Sequence, residues 1–428
     1  MKKNLLLLAV AVAALASCSN DETVAVNENS NPNEISFRAF GNGMTRAADE
    51  HFNAANDQFG VTAFHQGTTS GEGNVYFDNI TFKTDNGSIF ASTSNKYYWP
   101  SSVNLDFYAY APLSSEVGGS GSAAVTRSAY NTFVVTPGTD VPNQPDFVYA
   151  VTKDWGKATL QTGTATTHQI GSTYTGVTIN FRHAESKVAF KLANSNANLK
   201  ITVGEVTIGN LRGTETFKWN GVTDGTTPVA AASANTDGQW TTSGGGTLSY
   251  LNPDNSSELG WSATSAQTSA YTVTMESTDS YNLFDGEHAA KNLYSNVASA
   301  PDYDMILIPQ ALKIETTYNG TAVAPSASTF EGAYITVQIK IQNKATDDYI
   351  VGAAGTYVTA MWPLTALTWL PGHKYTYTVD LANGGYFTEN QDASNDLDPI
   401  LEGAEIKFVS VTVDDWATAD GGVYAVGL

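Results

Sequence analysis

Apolar residues recur at every second position in short runs along this chain, and Gly, Asn, Asp, Ser and Pro separate the runs. Alternation of this kind predicts half-buried β-strands. A first series falls at 35–40, 59–64, 75–82, 96–99, 105–110, 133–135 and 147–151. In the fifth run, Leu105, Phe107 and Ala109 face one side, while Asp106, Tyr108 and Tyr110 face the other. Between 156 and 175 the pattern lapses into Thr, Gly, Ala and Gln. A second series then occupies 177–181, 187–192, 199–203, 205–208, 271–275, 305–308, 333–341, 375–381 and 406–413. No amphipathic helix of convincing length appears. The expected fold is all-β and antiparallel, with an N-terminal domain over 47–175 and a C-terminal domain over 176–428.

One stretch resists the pattern. Between Trp219 and Trp261 the chain is rich in Gly, Ser, Thr and Asn, including Gly244, Gly245 and Gly246, and too poor in periodic apolar residues for a core element. It reads as a surface excursion of the second domain.

The N-terminus follows other rules. Lys2 and Lys3 precede Leu5, Leu6, Leu7, Leu8 and a run of Ala and Val, which together form a secretory signal. The apolar run is too short for a membrane span, which needs roughly 20 residues. Leu15-Ala16-Ser17-Cys18 reads as a lipobox, so residues 1–17 are a lipoprotein signal peptide and Cys18 is the acylated N-terminal residue. Residues 18–46 are expected to be a lipidated tether with a removable first strand. The acidic pair Asp21 and Glu22, placed after the cysteine, resembles the surface-export signal of Bacteroidetes lipoproteins.

Charge narrows the partners. Loss of residues 1–17 leaves 19 basic against 42 acidic residues, a formal charge of −23. Such a surface repels nucleic acid, so no nucleic-acid partner is expected. Charged residues make up 15% of the chain, below the usual ~25%, and the 21 Tyr, 18 Phe and 8 Trp suit an extracellular β-protein. Cys18 is the single cysteine, which excludes an intramolecular disulfide.

Catalytic patterns are sparse. His51, His65, His168, His183, His288 and His373 show no HExxH or HxH spacing, and no GxSxG elbow or Walker loop occurs. Gly119 to Ala124 loosely fits GxGxxA but has no strand before it. Asp392, Asp396 and Asp398 depart from EF-hand spacing and read as a solvated acidic loop. No enzyme, cofactor or metal site is expected. The clusters Tyr97-Tyr98-Trp99 and Phe107-Tyr108-Ala109-Tyr110 suit either core packing or sugar stacking.

A mechanism is suggested by the segment Glu34-Ile35-Ser36-Phe37-Arg38-Ala39-Phe40, followed by Gly41-Asn42-Gly43-Met44-Thr45-Arg46-Ala47. A strand containing Ile35, Phe37 and Phe40 comes first, and then an arginine in a Gly-rich stretch, accessible to an Arg-specific protease. Cutting between Arg46 and Ala47 would free the body from the lipid and from that strand.

The chain resembles the fimbrillin-family (Mfa-like) type V pilin subunits of Bacteroidetes. Matching residues are the lipobox, Thr45-Arg46-Ala47, Tyr97 to Pro100 leading to Leu105 to Pro112, and Gln144-Pro145-Asp146-Phe147. In the second half they are Phe181-Arg182-His183-Ala184-Glu185-Ser186-Lys187-Val188, Leu307-Ile308-Pro309-Gln310, Pro371-Gly372-His373-Lys374-Tyr375-Thr376-Tyr377 and Val411 to Trp416. The resemblance implies two tandem transthyretin-like sandwiches and delivery through the periplasm to the outer membrane and cell surface. It also implies removal of the first strand and polymerisation with other pilin subunits by donor-strand exchange, in support of adhesion to a host or bacterial surface ligand.

The donor would be a segment able to leave its own subunit, and 406–426 fits. Ile406, Phe408, Ser410 and Thr412 alternate with Lys407, Val409, Val411 and Val413, and one register offers an apolar face of Val409, Val411 and Val413. Trp416 and the short run Val423, Tyr424, Ala425, Val426 follow. Two readings stay open here, a donor strand and a last strand docked in its own domain. The alternative function is a monomeric surface lipoprotein that binds glycans through exposed aromatics.

Overall fold

The computed structural model describes residues 33–41, 52, 55–65, 75–117, 123–129, 132–157, 168–170, 176–218, 261–262, 267–274, 281–283, 291–292, 304–313, 332–383, 385–388, 399–401 and 410–415. The first strands are β1 (Phe37–Gly41), β2 (Gln58–His65), β3 (Val75–Lys83), β4 (Ala91–Ser92), β5 (Leu105–Ala111), β6 (Ala124–Ala129), β7 (Thr132–Thr136), β8 (Val148–Lys157) and β9 (His168–Ile170). There follow β10 (Val177–His183), β11 (Ser186–Ala193), β12 (Leu199–Leu211), β13 (Glu215–Lys218), β14 (Trp261–Ser262), β15 (Ser269–Thr274), β16 (Tyr281–Leu283) and β17 (Lys291–Asn292). The last are β18 (Met305–Leu307), β19 (Tyr334–Asn343), β20 (Tyr349–Val351), β21 (Val358–Pro363), β22 (His373–Asp380), β23 (Tyr386–Phe387) and β24 (Ser410–Asp415). The fold is all-β, as the alternation predicts.

Four sheets organise these strands. The first runs β1-β10-β8-β5-β2-β3-β4, with β9 beside β8. A bridge between Phe37 and Phe90, the residue before β4, links the two ends of this sheet, so it curls toward closure with β1 at the seam. A second sheet, β17-β11-β22-β24, and a third, β15-β12-β19-β21-β23, enclose an apolar core that includes Val188, Phe190, Ile201, Val203, Ile335, Val337, Trp362 and Trp369. The fourth, β14-β13-β7-β6, draws strands from both halves of the chain.

Local alternation explains the strongest strands. In β19, Ile335, Val337, Ile339 and Ile341 are wholly buried while the residues between them are partly exposed. The run 105–110 also alternates, but its second face is not solvated. Leu105, Phe107 and Ala109 join the core of the first sheet, whereas Tyr108 and Tyr110 enter another cluster with Phe133, Val135, Phe147 and Phe217 of the fourth sheet and its neighbours. Burial raises the hydroxyl pKa of both tyrosines.

Three features depart from expectation. Pairing is not antiparallel throughout: β1 with β10, β8 with β9 and β11 with β22 are parallel. The expected strand 96–99 is reduced to an isolated bridge between Glu34 and Tyr98. The two runs 199–203 and 205–208 are one strand, β12, with a register shift between Val203 and Val206. Gly204 sits in that irregularity, where a Cβ would stand 3.2 Å from the Tyr357 ring. An extra residue in one strand gives a bulge, and the strand continues past it.

Candidate functional site: a strand seated in an aromatic groove

β1 is held along both edges. On one side it runs parallel to β10, with Phe37 opposite Val177 and Gly41 opposite Phe181, and the Val177 N–H donates to Ser36 O at 2.8 Å. On the other side the Phe37 N–H donates to Phe90 O at 3.0 Å and the Phe90 N–H returns to Phe37 O at 2.9 Å. The Ile35 N–H donates to Tyr97 O at 2.8 Å, and the Trp99 N–H to Asn33 O at 3.0 Å. At the rim, Lys96 Nζ lies 2.8 Å from Glu34 Oε2.

Side chains seat the strand from beneath. Ile35 and Phe37 are buried, and Ala39 packs against the same core. Phe37 meets Phe59, Phe82 and Phe107 edge to face, with centroids 6.0, 4.6 and 5.1 Å away, a favoured arrangement because ring edges are positive and faces negative. Phe40 continues the strand, its backbone opposite Asn180. Gly176 lets the two strands approach: its φ is +107°, and a Cβ there would lie 3.0 Å from the Phe37 carbonyl carbon.

Of the other expected site residues, Cys18, Arg46, Ala47, Val409, Trp416, Val423, Tyr424 and Val426 lie outside the described residues. In this structure β24 pairs antiparallel with β22 of its own chain, Val411 opposite Tyr377 and Val413 opposite Tyr375. Val413 is buried, and Val411 packs against the second core. Within the aromatic clusters, Trp99, Tyr108 and Tyr110 are buried while Tyr98 is exposed. Core packing uses most of the surface that a sugar platform would need. His51, His288, Asp392, Asp396, Asp398 and 219–260 also lie outside the described residues.

The scattered segments Gln144 to Phe147, His183 to Ser186, Leu307 to Gln310 and Leu370 to Gly372 converge at one junction. The Phe147 N–H donates to Glu185 Oε2 at 2.8 Å, the Gly372 N–H to Glu185 O at 2.8 Å, and Ser186 Oγ to Leu370 O at 2.9 Å. His183 Nδ1 lies 2.7 Å from Asp146 Oδ2, and the Ile306 N–H donates to Gln144 Oε1 at 2.7 Å. The Trp369 N–H reaches Gln310 O at 2.8 Å, and the Arg212 N–H reaches Gln310 Oε1 at 2.9 Å. The junction ties the first and second sheets together through side chains whose role is positional.

Glu185 is fully buried there, and its Oε1 finds no hydrogen-bond partner among the described residues. Burial pushes its carboxyl well above the usual carboxylate range; the Phe147 N–H opposes this, and Asp146 adds to it. The unfolded chain releases this proton above about pH 4.3 while the folded chain keeps it. Stability is therefore lost as pH rises from that point toward the folded pKa, at about 1 kcal/mol per pH unit from this group. Glu185→Gln is expected to flatten the slope, read as urea midpoints between pH 5 and 8. An unchanged slope would show that Glu185 ionises in place.

In this all-β chain the first described strand is thus seated between two edges of one curled sheet. Residues 45–416 match the Fimbrillin-like family, and the chain belongs to it. This membership makes it a fimbrial or adhesion structural subunit of the cell surface rather than an enzyme. Among solved structures it is similar to a fimbrial protein of Bacteroides vulgatus ATCC 8482, at 16% identity over 90% of this chain and 99% of that one, with a TM-score of 0.46. It is also similar to the C-terminally truncated tip fimbrial protein Mfa3 of Porphyromonas gingivalis, at 8% identity over 90% and 98% of the two chains, with a TM-score of 0.31. Comparison with curated proteins returns no match.

Proposed function

We propose that this protein is a structural subunit of a cell-surface fimbria, built as two tandem transthyretin-like sandwiches and polymerised by strand exchange. It is exported as a lipoprotein acylated at Cys18, then cut between Arg46 and Ala47 by an Arg-specific protease. The cut disconnects β1 from the body. The observation that carries this reading is the seat of β1, which is hydrogen-bonded along both edges and anchored by Phe37 among Phe59, Phe82 and Phe107. Once β1 leaves, its backbone partners and an aromatic opening are uncovered together, and a strand from a neighbouring copy satisfies both.

Arg46→Ala tests the scheme in cells. The variant is expected to reach the surface as an uncleaved monomer with no fibres by electron microscopy. Fibres of normal length from this variant would refute cleavage at Arg46 as the trigger.

A further inference from the structure

A cavity of about 610 Å³ opens at the end of the first sheet where β2 begins, β5 stops and β8 is entered. That volume falls within the range of small-molecule sites. Half of the lining residues carry an amide or a carboxylate and half are apolar. Gln58 and Asn143 supply amides, Asp57, Glu116 and Asp146 carboxylates, and Phe52 and Pro112 flat apolar surface. Among the described residues, no Lys, Arg or His lines it.

The polar walls are held in place by the protein itself. Glu116 Oε1 accepts from Gln58 Nε2 at 2.9 Å, and its Oε2 accepts from the Leu113 N–H at 2.8 Å, while the Glu116 N–H returns to Leu113 O at 2.8 Å. On the 140–146 turn, Asn143 Nδ2 donates to Asp140 Oδ2 at 3.0 Å, and Gln144 Nε2 donates to Gly138 O at 2.9 Å. The Ile306 N–H fixes Gln144 from the second half of the chain, and His183 orients Asp146. Groups ordered before a ligand arrives cost less to order on binding. Each carboxylate oxygen has two lone pairs, so these contacts leave Glu116 able to accept more.

We propose that this cavity binds a neutral sugar unit of a surface glycan. The inference goes beyond the fimbrial reading and does not rest on strand exchange. A sugar ring presents hydroxyls around its rim and C–H groups on its faces. The carboxylates accept from hydroxyls, the amides both donate and accept, and Phe52 and Pro112 take the C–H faces. Three carboxylates with no cation beside them disfavour an anionic ligand, which excludes sialylated and sulfated sugars. Among the described residues, no three acidic or His groups come together to hold a metal ion. The carboxylates are spread along the walls, which suits dispersed hydroxyls better than a point charge.

The test is a glycan array on which each oligosaccharide is present in neutral and sialylated form, probed with full-length protein carrying Cys18→Ser. Binding to neutral glycans alone is expected. Titration with the strongest neutral hit should show Glu116→Ala and Asn143→Ala each weakening binding at least about tenfold. Tyr98→Ala removes the exposed aromatic beside Glu34 and should change nothing. Urea midpoints check that the variants stay folded, and the wild-type array result stands even if one does not. No neutral hit, equal binding of the sialylated forms, or a loss confined to Tyr98→Ala would overturn the inference. Binding of a tetralysine peptide that depends on Glu116, in a protein silent on the array, would overturn it too and assign the cavity to a basic protein partner.

Discussion

Phe37→Ala is expected to lower the stability of the uncleaved chain by about 3–5 kcal/mol, the range for truncating a wholly buried phenylalanine. The loss should sit at the upper end, since three edge-to-face contacts go together and the groove walls are themselves strands that cannot collapse inward. Urea unfolding before and after cleavage at Arg46 separates two explanations. If β1 departs on cleavage, wild type and variant should unfold identically once cut. A difference that persists in the cut protein would mean that β1 remains seated, in which case no groove opens.

Deleting residues 402–428 is expected to stop polymer growth outright. The same deletion removes β24, whose Val411 and Val413 cover part of the second core, so the truncated monomer should be less stable by about 3–5 kcal/mol. That cost is smaller than the stability of a typical domain, and the monomer should remain folded. Mixing cleaved truncated and cleaved wild-type protein should shorten polymers in proportion to the truncated fraction, because a truncated subunit accepts a strand and gives none. Undiminished self-polymerisation by the truncated protein would show that the tail is no donor.

Period-two alternation made most strands legible, and it did so where one face meets the core and the other meets solvent, as in 334–343. It failed where that contrast is absent. Tyr108 and Tyr110 occupy the face of β5 expected to be outward, yet they are buried because the fourth sheet covers them, and no local pattern announces a covering sheet assembled from β6, β7, β13 and β14. The weak strand β6, Ala124–Ala129, carries Thr, Arg and Ser and depends on its pairing with β7. Gly204 reads as a break between two strands but marks a bulge within one.

The groove itself was half legible. That a strand falls near 35–40, ahead of an arginine expected to be a protease site, is local information; the strand itself runs Phe37–Gly41. That it lies parallel to β10, about 140 residues away in sequence, is a long-range pairing on which alternation is silent. The junction was less accessible still. Gln144 to Phe147 and His183 to Ser186 stand out as motifs, but their positional role appears only when Glu185 is seen joining Phe147 to Gly372.

The most direct measurement is the N-terminus of the subunit within assembled surface fibres, by Edman degradation or intact mass. Cleavage and strand removal predict Ala47 as the first residue and no lipid on the polymer. Fibres whose subunits still begin at an acylated Cys18 would contradict the scheme, since β1 would then be retained in the seat that strand exchange requires to be empty.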